Sequence, residues 1–181
     1  NNISIVCIYD NSEQNGRDTY SFMKEFSEIV SKKITTNFYK KGENAELEKI
    51  INVSLYPTIA IFDKNNKFTG IEFHGVPSGH EFNSFILALY NVSGPGQNLD
   101  ENIITRIKNL NKNLNIKICV SLSCSICPDV VTSIQKMASI NNNIKAEMIE
   151  LYRYPEIKSK YNIMSVPAII INDNENLLFG K

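Results

Sequence analysis

With 181 residues, 43% of them hydrophobic and 21% charged, the chain has the composition of an ordinary globular protein able to bury a core. Its 19 Lys and Arg balance its 19 Asp and Glu, so it lacks the concentrated positive charge that nucleic acid or an anionic membrane rewards. No apolar run approaches the roughly 20 residues needed to span a bilayer, and no signal-like segment opens the chain. Only 4 cysteines occur, two of them isolated, which points to a reducing, cytoplasmic setting rather than a disulfide scaffold.

In chain order, "ISIVCIY" (residues 3–9) reads as a strand. A helix is expected near 18–33, with Phe22, Met23, Phe26, Ile29 and Val30 as its apolar stripe. The strand "ITTNFY" follows, then a short helix carrying Leu47, Ile50 and Ile51. After Pro57 the strand "TIAIF" turns through "DKNNK" into "FTGIEF". A helix near 79–92 places Phe82, Phe85, Ile86 and Leu89 on one face. "NVSGPGQNLD" is rich in turn formers and reads as a linker. Beyond it come a helix bearing Ile103, Ile104, Ile107 and Leu110, a strand near 116–122, and a helix bearing Val130, Val131, Ile134, Met137 and Ala138. The strand "IKAEMIEL", a short helix near 154–161 and a hairpin after Pro167 complete the chain.

Two of these segments repeat. "NVSLYPTIAIFD" (52–63) and "NIMSVPAIIIND" (162–173) align without gaps, matching Asn52 with Asn162, Pro57 with Pro167, and Asp63 with Asp173. Strand, helix, strand, helix, proline, strand, strand, helix is the order of a thioredoxin fold. The expected architecture is therefore α/β, two tandem thioredoxin-like units with mixed sheets flanked by helices. The first covers 1–93, a linker 94–100, and the second 101–181. The first unit lacks a leading helix and the second a closing one, as in a fragment cut from a longer chain.

Chemistry is expected at "SLSCSICPDVV" (121–131), where Cys124 and Cys127 stand between a strand and a helix. That spacing suits a disulfide, and a helix N-terminus favours a thiolate through its free N–H groups and dipole. Cys124 then reads as a nucleophile with a pKa below the ~8.5 of a free thiol, and Cys127 as the resolving thiol. Pro128 suits the first helical turn, and Asp129 complements the dipole there. Zinc would need a second CxxC or a nearby His pair. Cys7 and Cys119 instead sit alone in strands, as core-packing residues, while His74 and His80 lie in the other unit. Val166–Pro167 opens a strand where a cis bond would present the Val166 backbone to an extended partner. At the offset of Pro57 from Pro167, Gln14 faces Cys124 and Arg17 faces Cys127, so the first unit keeps the scaffold without the dithiol.

"SCSICPDVV", "NIMSVPA" and "GVPSGHEFNSFILAL" together resemble the tandem thioredoxin-like domain found in the flavoprotein F subunits of bacterial alkyl hydroperoxide reductases. The resemblance runs over nearly the whole chain. It implies a thiol-disulfide oxidoreductase that passes electrons from a flavoprotein disulfide reductase domain, using FAD and NADH, to a peroxiredoxin. It also implies Cys124 and Cys127 as the redox pair, Pro167 as cis-proline, and Glu81 as an acidic residue presented to the dithiol. Glu81 has a second reading, since "SGHE" is a capping box opening the helix at 79. No G-x-G-x-x-G fingerprint occurs, so FAD and NADH are expected on other chain segments or another protein. Two other readings stay open: a free-standing glutaredoxin-like disulfide reductase, and a docking module whose dithiol is incidental.

Overall fold

Runs of Ile, Val and Phe enclosed on both faces supply the central strands, since β-branched and aromatic residues fill a pleated surface well, while the strands at 34–40 and 178–179 lie at the edges and are more exposed. A computed structural model describes residues 2–174 and 176–180. The first unit runs β1 (Ile3–Tyr9), α1 (Gln14–Ile29), β2 (Ile34–Lys40), α2 (Ala45–Ile51), β3 (Thr58–Phe62), β4 (Phe68–His74) and α3 (Glu81–Ser93). The second runs α4 (Glu101–Lys108), β5 (Leu114–Val120), α5 (Cys127–Ile140), β6 (Ile144–Glu150), a 3-10 turn at Leu151–Arg153, α6 (Pro155–Lys160), β7 (Ala168–Ile171) and β8 (Leu178–Phe179). Both units pair their strands alike. The first two strands run parallel, and the hairpin that follows each proline joins the first strand antiparallel. None of the helices among the described residues is long and apolar enough to cross a membrane.

The eight strands form one sheet, in the order β2-β1-β3-β4-β6-β5-β7-β8. Its two halves meet where β4 runs parallel to β6, with Glu72 opposite Glu147 and His74 opposite Ile149. Gly70 makes that approach possible. It has φ +80°, and a Cβ there would stand 2.3 Å from the Ile144 carbonyl oxygen. On one face of the sheet the core is continuous across both units, from Ile5 and Met23 through Phe73 and Phe85 to Val131 and Met148. The fully buried Phe85 ring anchors it, with centroids 5.1 Å from Phe26 and 5.4 Å from Phe73. Two separate apolar clusters cover the other face. One gathers around Ile51 and the other around Ile157 and Tyr161.

Several boundaries differ from the sequence expectation. Helix α1 begins at Gln14, four residues before the expected 18, and ends before Val30. Its buried stripe is carried by Gly16, Thr19, Met23 and Phe26. Ile29 is 83% exposed and lies off the buried stripe that ends at Phe26. Ile50 is likewise exposed, and of the apolar trio on α2 only Ile51 is buried. Strand β5 starts at Leu114, two residues before the expected 116. The matched asparagines have a shared conformational reason: Asn52 and Asn162 both adopt the left-handed region, at φ 54° and 48°.

Candidate active site

The loop leaving β5 is tightened by short local bonds before α5 begins. The Cys124 N–H donates to the Ser121 carbonyl at 3.0 Å, and the Ser121 and Ser123 hydroxyls lie 3.0 Å apart. Cys127 is the first residue of α5, with Pro128 behind it, so the ring falls where a helix has no N–H to lose. Cys124 and Cys127 are joined by a disulfide, with their Cα atoms 5.5 Å apart. The Cys127 N–H also donates to the Cys124 sulfur at 3.2 Å. The two sulfurs differ in access. Cys127 is fully buried in the shared core, whereas Cys124 is half-buried and Ser123, Ser125 and Ile126 around it are exposed. A partner sulfur can approach Cys124 but not Cys127. The positive end of a 14-residue helix faces the pair, which favours the thiolate once the bridge opens.

The Val166–Pro167 bond is cis, and Pro167 is buried while Val166 is half-buried. Val166 packs, like Cys124, against the edge of the main core. Its backbone makes no hydrogen bond among the described residues. The matching Tyr56–Pro57 bond is also cis, but there the carbonyls are already taken. The Tyr154 hydroxyl donates to the Tyr56 and Pro57 carbonyls, at 3.1 and 3.3 Å, and His74 Nδ1 donates to the Pro57 carbonyl at 3.1 Å. At the second loop the Pro167 carbonyl accepts from the Gly180 N–H at 3.2 Å and only the Val166 backbone groups are left unbonded, whereas side chains occupy both carbonyls of the first.

The first unit's loop to its helix spans residues 10–13, against 121–126 in the second. This shorter loop corrects the expected pairing: counted from the helix start, Gln14 stands in place of Cys127 rather than Cys124. Asp10 within that loop and the Arg17 side chain from α1 hold it. Asp10 Oδ1 accepts from the Ser12 N–H and hydroxyl, and Arg17 donates to the Asn11 carbonyl and to the Gln14 side chain.

Glu81 opens α3, two residues later than expected, and the capping box does not form. The Ser78 N–H goes to the Val76 carbonyl, and the Glu81 carboxylate turns inward to accept from the Ser84 hydroxyl. Glu81 is fully buried, and its Oε1 has no partner among the described residues. Burial pushes its carboxyl up to about 7, with the Ser84 hydroxyl holding it back from a larger rise. The segment leading into α3 lies directly on the dithiol loop. The His80 N–H donates to the Leu122 carbonyl at 3.1 Å, and a Cβ on Gly79 (φ +56°) would stand 2.7 Å from the same oxygen. A buried carboxyl with its pKa raised toward neutrality thus stands one residue from a loop contact to the CxxC.

Sequence reasoning missed a buried ionic cluster where the units join. His74 Nε2 donates to Glu147 Oε1 at 2.9 Å while Nδ1 faces the Pro57 carbonyl, so both ring nitrogens carry protons. Burial presses His74 down, but the Glu147 bond and the Glu72 charge outweigh it and hold the imidazolium. The same imidazolium, with Lys145 and the Ser54 hydroxyl, holds Glu147 well below the usual carboxylate range despite its burial. Glu72, raised by burial, takes Lys145 Nζ at 2.8 Å and the Thr58 hydroxyl at 2.6 Å. Lys117 adds a third cation, 3.7 Å from Glu147 and 2.8 Å from Asp173. Donor atoms of Glu72, His74 and Glu147 lie within 4.8 Å of one another, close enough for metal ligation, but the Lys145 ammonium already supplies the cation between the carboxylates. Charges inside otherwise apolar strands, Glu72, Lys117, Lys145 and Glu147, were the sequence signal. Their partners lie on strands whose pairing the sequence does not announce.

Residues 114–180 match the thioredoxin domain family model. The chain is 43% identical over 107 residues to the alkyl hydroperoxide reductase F subunit of Staphylococcus aureus, an alignment covering 59% of this chain and 21% of that protein. The chain thus spans about a fifth of the length of that relative. Among solved structures it resembles the NTD_N/C domain of alkylhydroperoxide reductase AhpF from Enterococcus faecalis (TM-score 0.93, 37% identity, 99% of this chain and 85% of that one). It also resembles a protein disulfide oxidoreductase from Aeropyrum pernix (TM-score 0.87, 25% identity, 99% of this chain and 79% of that one).

Proposed function

The chain belongs to the AhpF family of alkyl hydroperoxide reductase components, and on that premise we propose that it is the thiol-disulfide oxidoreductase domain that relays electron pairs from a flavoprotein disulfide reductase domain to a peroxiredoxin. FAD and NADH are assigned to the flavoprotein domain. This chain has no G-x-G-x-x-G fingerprint to cradle them, and no step below passes through either. Residues 1–93 and 101–181 act as a silent and an active unit joined by 94–100, in a reducing, cytoplasmic setting.

The observation that carries this reading is the difference in access between the two sulfurs. In the reduced state the Cys124 thiolate attacks one sulfur of the acceptor disulfide, forming a mixed disulfide and releasing the other acceptor sulfur as a thiolate. Cys127 loses its proton to the Glu81 carboxylate and attacks Cys124. The bridge re-forms and the second acceptor thiolate leaves. Two electrons move to the acceptor, and the proton held at Glu81 passes to solvent or to the leaving thiolate. Val166 and Pro167 seat the acceptor segment as an added strand, using the Val166 backbone groups that have no partner.

Likeness to the Aeropyrum pernix protein disulfide oxidoreductase favours a second reading, a generalist reductase of protein disulfides. Single-turnover mixing of the reduced chain with a peroxiredoxin disulfide and with an unrelated protein disulfide separates the two. The relay reading expects faster reduction of the peroxiredoxin, none by Cys124→Ser, and a trapped mixed disulfide with Cys127→Ser. Equal rates for both acceptors would favour the generalist.

A further inference from the structure

Away from the dithiol, helices α4 and α5 flank an open hollow of about 500 Å³, bordered also by residues 97–99. Its apolar lining comes from Leu99, Ile103, Ile107, Leu110 and Met137. Only Ile107 among them is buried, and Ile103 is 43% exposed although it faces this hollow. The walls are pinned at both ends. Asn91 bonds twice to Gln97, each time at 2.8 Å, fixing the connector at one end. Asn141 donates to the Ile107 and Leu110 carbonyls at 2.7 and 2.8 Å, fixing the end of α4. A hollow held open by hydrogen bonds at its corners does not collapse onto its own apolar lining. Its volume falls within the range of small-molecule sites.

Three polar groups converge on it without partners. Arg106 and Lys136 line the cavity, and neither makes an ion pair among the described residues. Thr132 also lines it, nine-tenths buried, and its hydroxyl has no hydrogen-bond partner among the described residues. A buried hydroxyl without a partner is uncommon and unfavourable, and a bound acceptor would satisfy it. Burial also holds the Lys136 ammonium below its ordinary value, a strain that a bound anion relieves.

We propose that this cavity is a binding site for an amphipathic organic anion, a single carboxylate-type head on an apolar body. The head meets Arg106, Lys136 and the Thr132 hydroxyl, and the tail lies between α4 and α5. Dithiol chemistry plays no part in this inference, and Cys124→Ser should leave the binding unchanged.

Decanoate is the probe, titrated calorimetrically into the 181-residue chain beside decanol and decyltrimethylammonium. One saturable decanoate site is expected, with amide shifts concentrated on residues 97–110 and 132–137. Affinity should fall at least tenfold in Arg106→Gln/Lys136→Gln. Absence of saturable binding up to the solubility limit, equal affinity for decanol, or unchanged affinity in the double variant would overturn the proposal. Should that variant fail to fold, Ile103→Gln, at an exposed position, carries the test. It places a polar side chain in the apolar wall, and undiminished affinity there overturns the proposal equally.

Discussion

Glu81→Gln removes one titrating group from a fully buried site while keeping its size and its ability to accept the Ser84 hydroxyl. In the folded chain burial raises this carboxyl from 4.5 to about 7. The folded state therefore holds the proton more tightly than the unfolded one. The favourable contribution is complete below pH 4.5, is lost as pH rises to about 7, and changes no further above that. At about 1.4 kcal/mol per unit, the ionised buried carboxylate costs on the order of 3 kcal/mol at alkaline pH. Glutamine escapes that cost. Urea unfolding of the oxidised protein, repeated between about pH 4 and pH 8, should show the variant equal to the parent in acid and more stable by up to about 3 kcal/mol in base. A stability difference that does not vary with pH would refute the buried-carboxyl reasoning. Gained stability should come with lost rate. Closure of the mixed disulfide should slow by about a hundredfold, and its pH profile should lose the inflection near neutrality. An unchanged profile would leave Glu81 without a proton-transfer role.

Lys145→Met strips the cation shared by Glu72 and Glu147, and breaking a buried pair from one side costs about 3–5 kcal/mol. A loss below about 1 kcal/mol in denaturant unfolding would mean the seam between the units is not held by charge. Gly70→Ala forces a Cβ against the Ile144 carbonyl at a left-handed residue, and should destabilise by more than about 1 kcal/mol through the β4–β6 junction. A neutral result would place the junction's tolerance elsewhere. Burial pushes the Cys7 and Cys119 thiols up to about 12, so iodoacetamide applied to the reduced, folded protein near pH 8 should label Cys124 first and leave these two unmodified. Native-state labelling of either, read by mass spectrometry, would contradict their burial.

How much of this is legible in the sequence follows from where each signal is local. The repeat is readable because Asn52/Asn162 and Pro57/Pro167 answer local backbone demands, a left-handed residue and a cis bond, that recur in both units. The CxxC is readable because strand, loop and helix tip are consecutive, and the structure joins Cys124 to Cys127 there. Helix α1 starts four residues ahead of its expected position because the loop before it is short and its first turn is polar, so the apolar stripe begins after the helix does. Parallel pairing of β4 with β6 leaves no periodic trace, since the two strands lie in different units. That is why His74 and Glu72 read as residues of a silent unit and not as half of a buried cluster. Gln14 pairs wrongly for a related reason: an ungapped offset taken at the prolines cannot register a loop that shortens between strand and helix.

The central claim is that Cys124 and Cys127 open and close reversibly as a two-electron couple. An equilibrium redox titration with thiol-alkylation mass spectrometry addresses it directly. The account predicts one two-electron transition between about −350 and −150 mV, shifting tenfold in ratio for about every 30 mV, with Cys124 and Cys127 as the only sulfurs that change state. A pair that stays bridged, or stays open, across that whole span would contradict it.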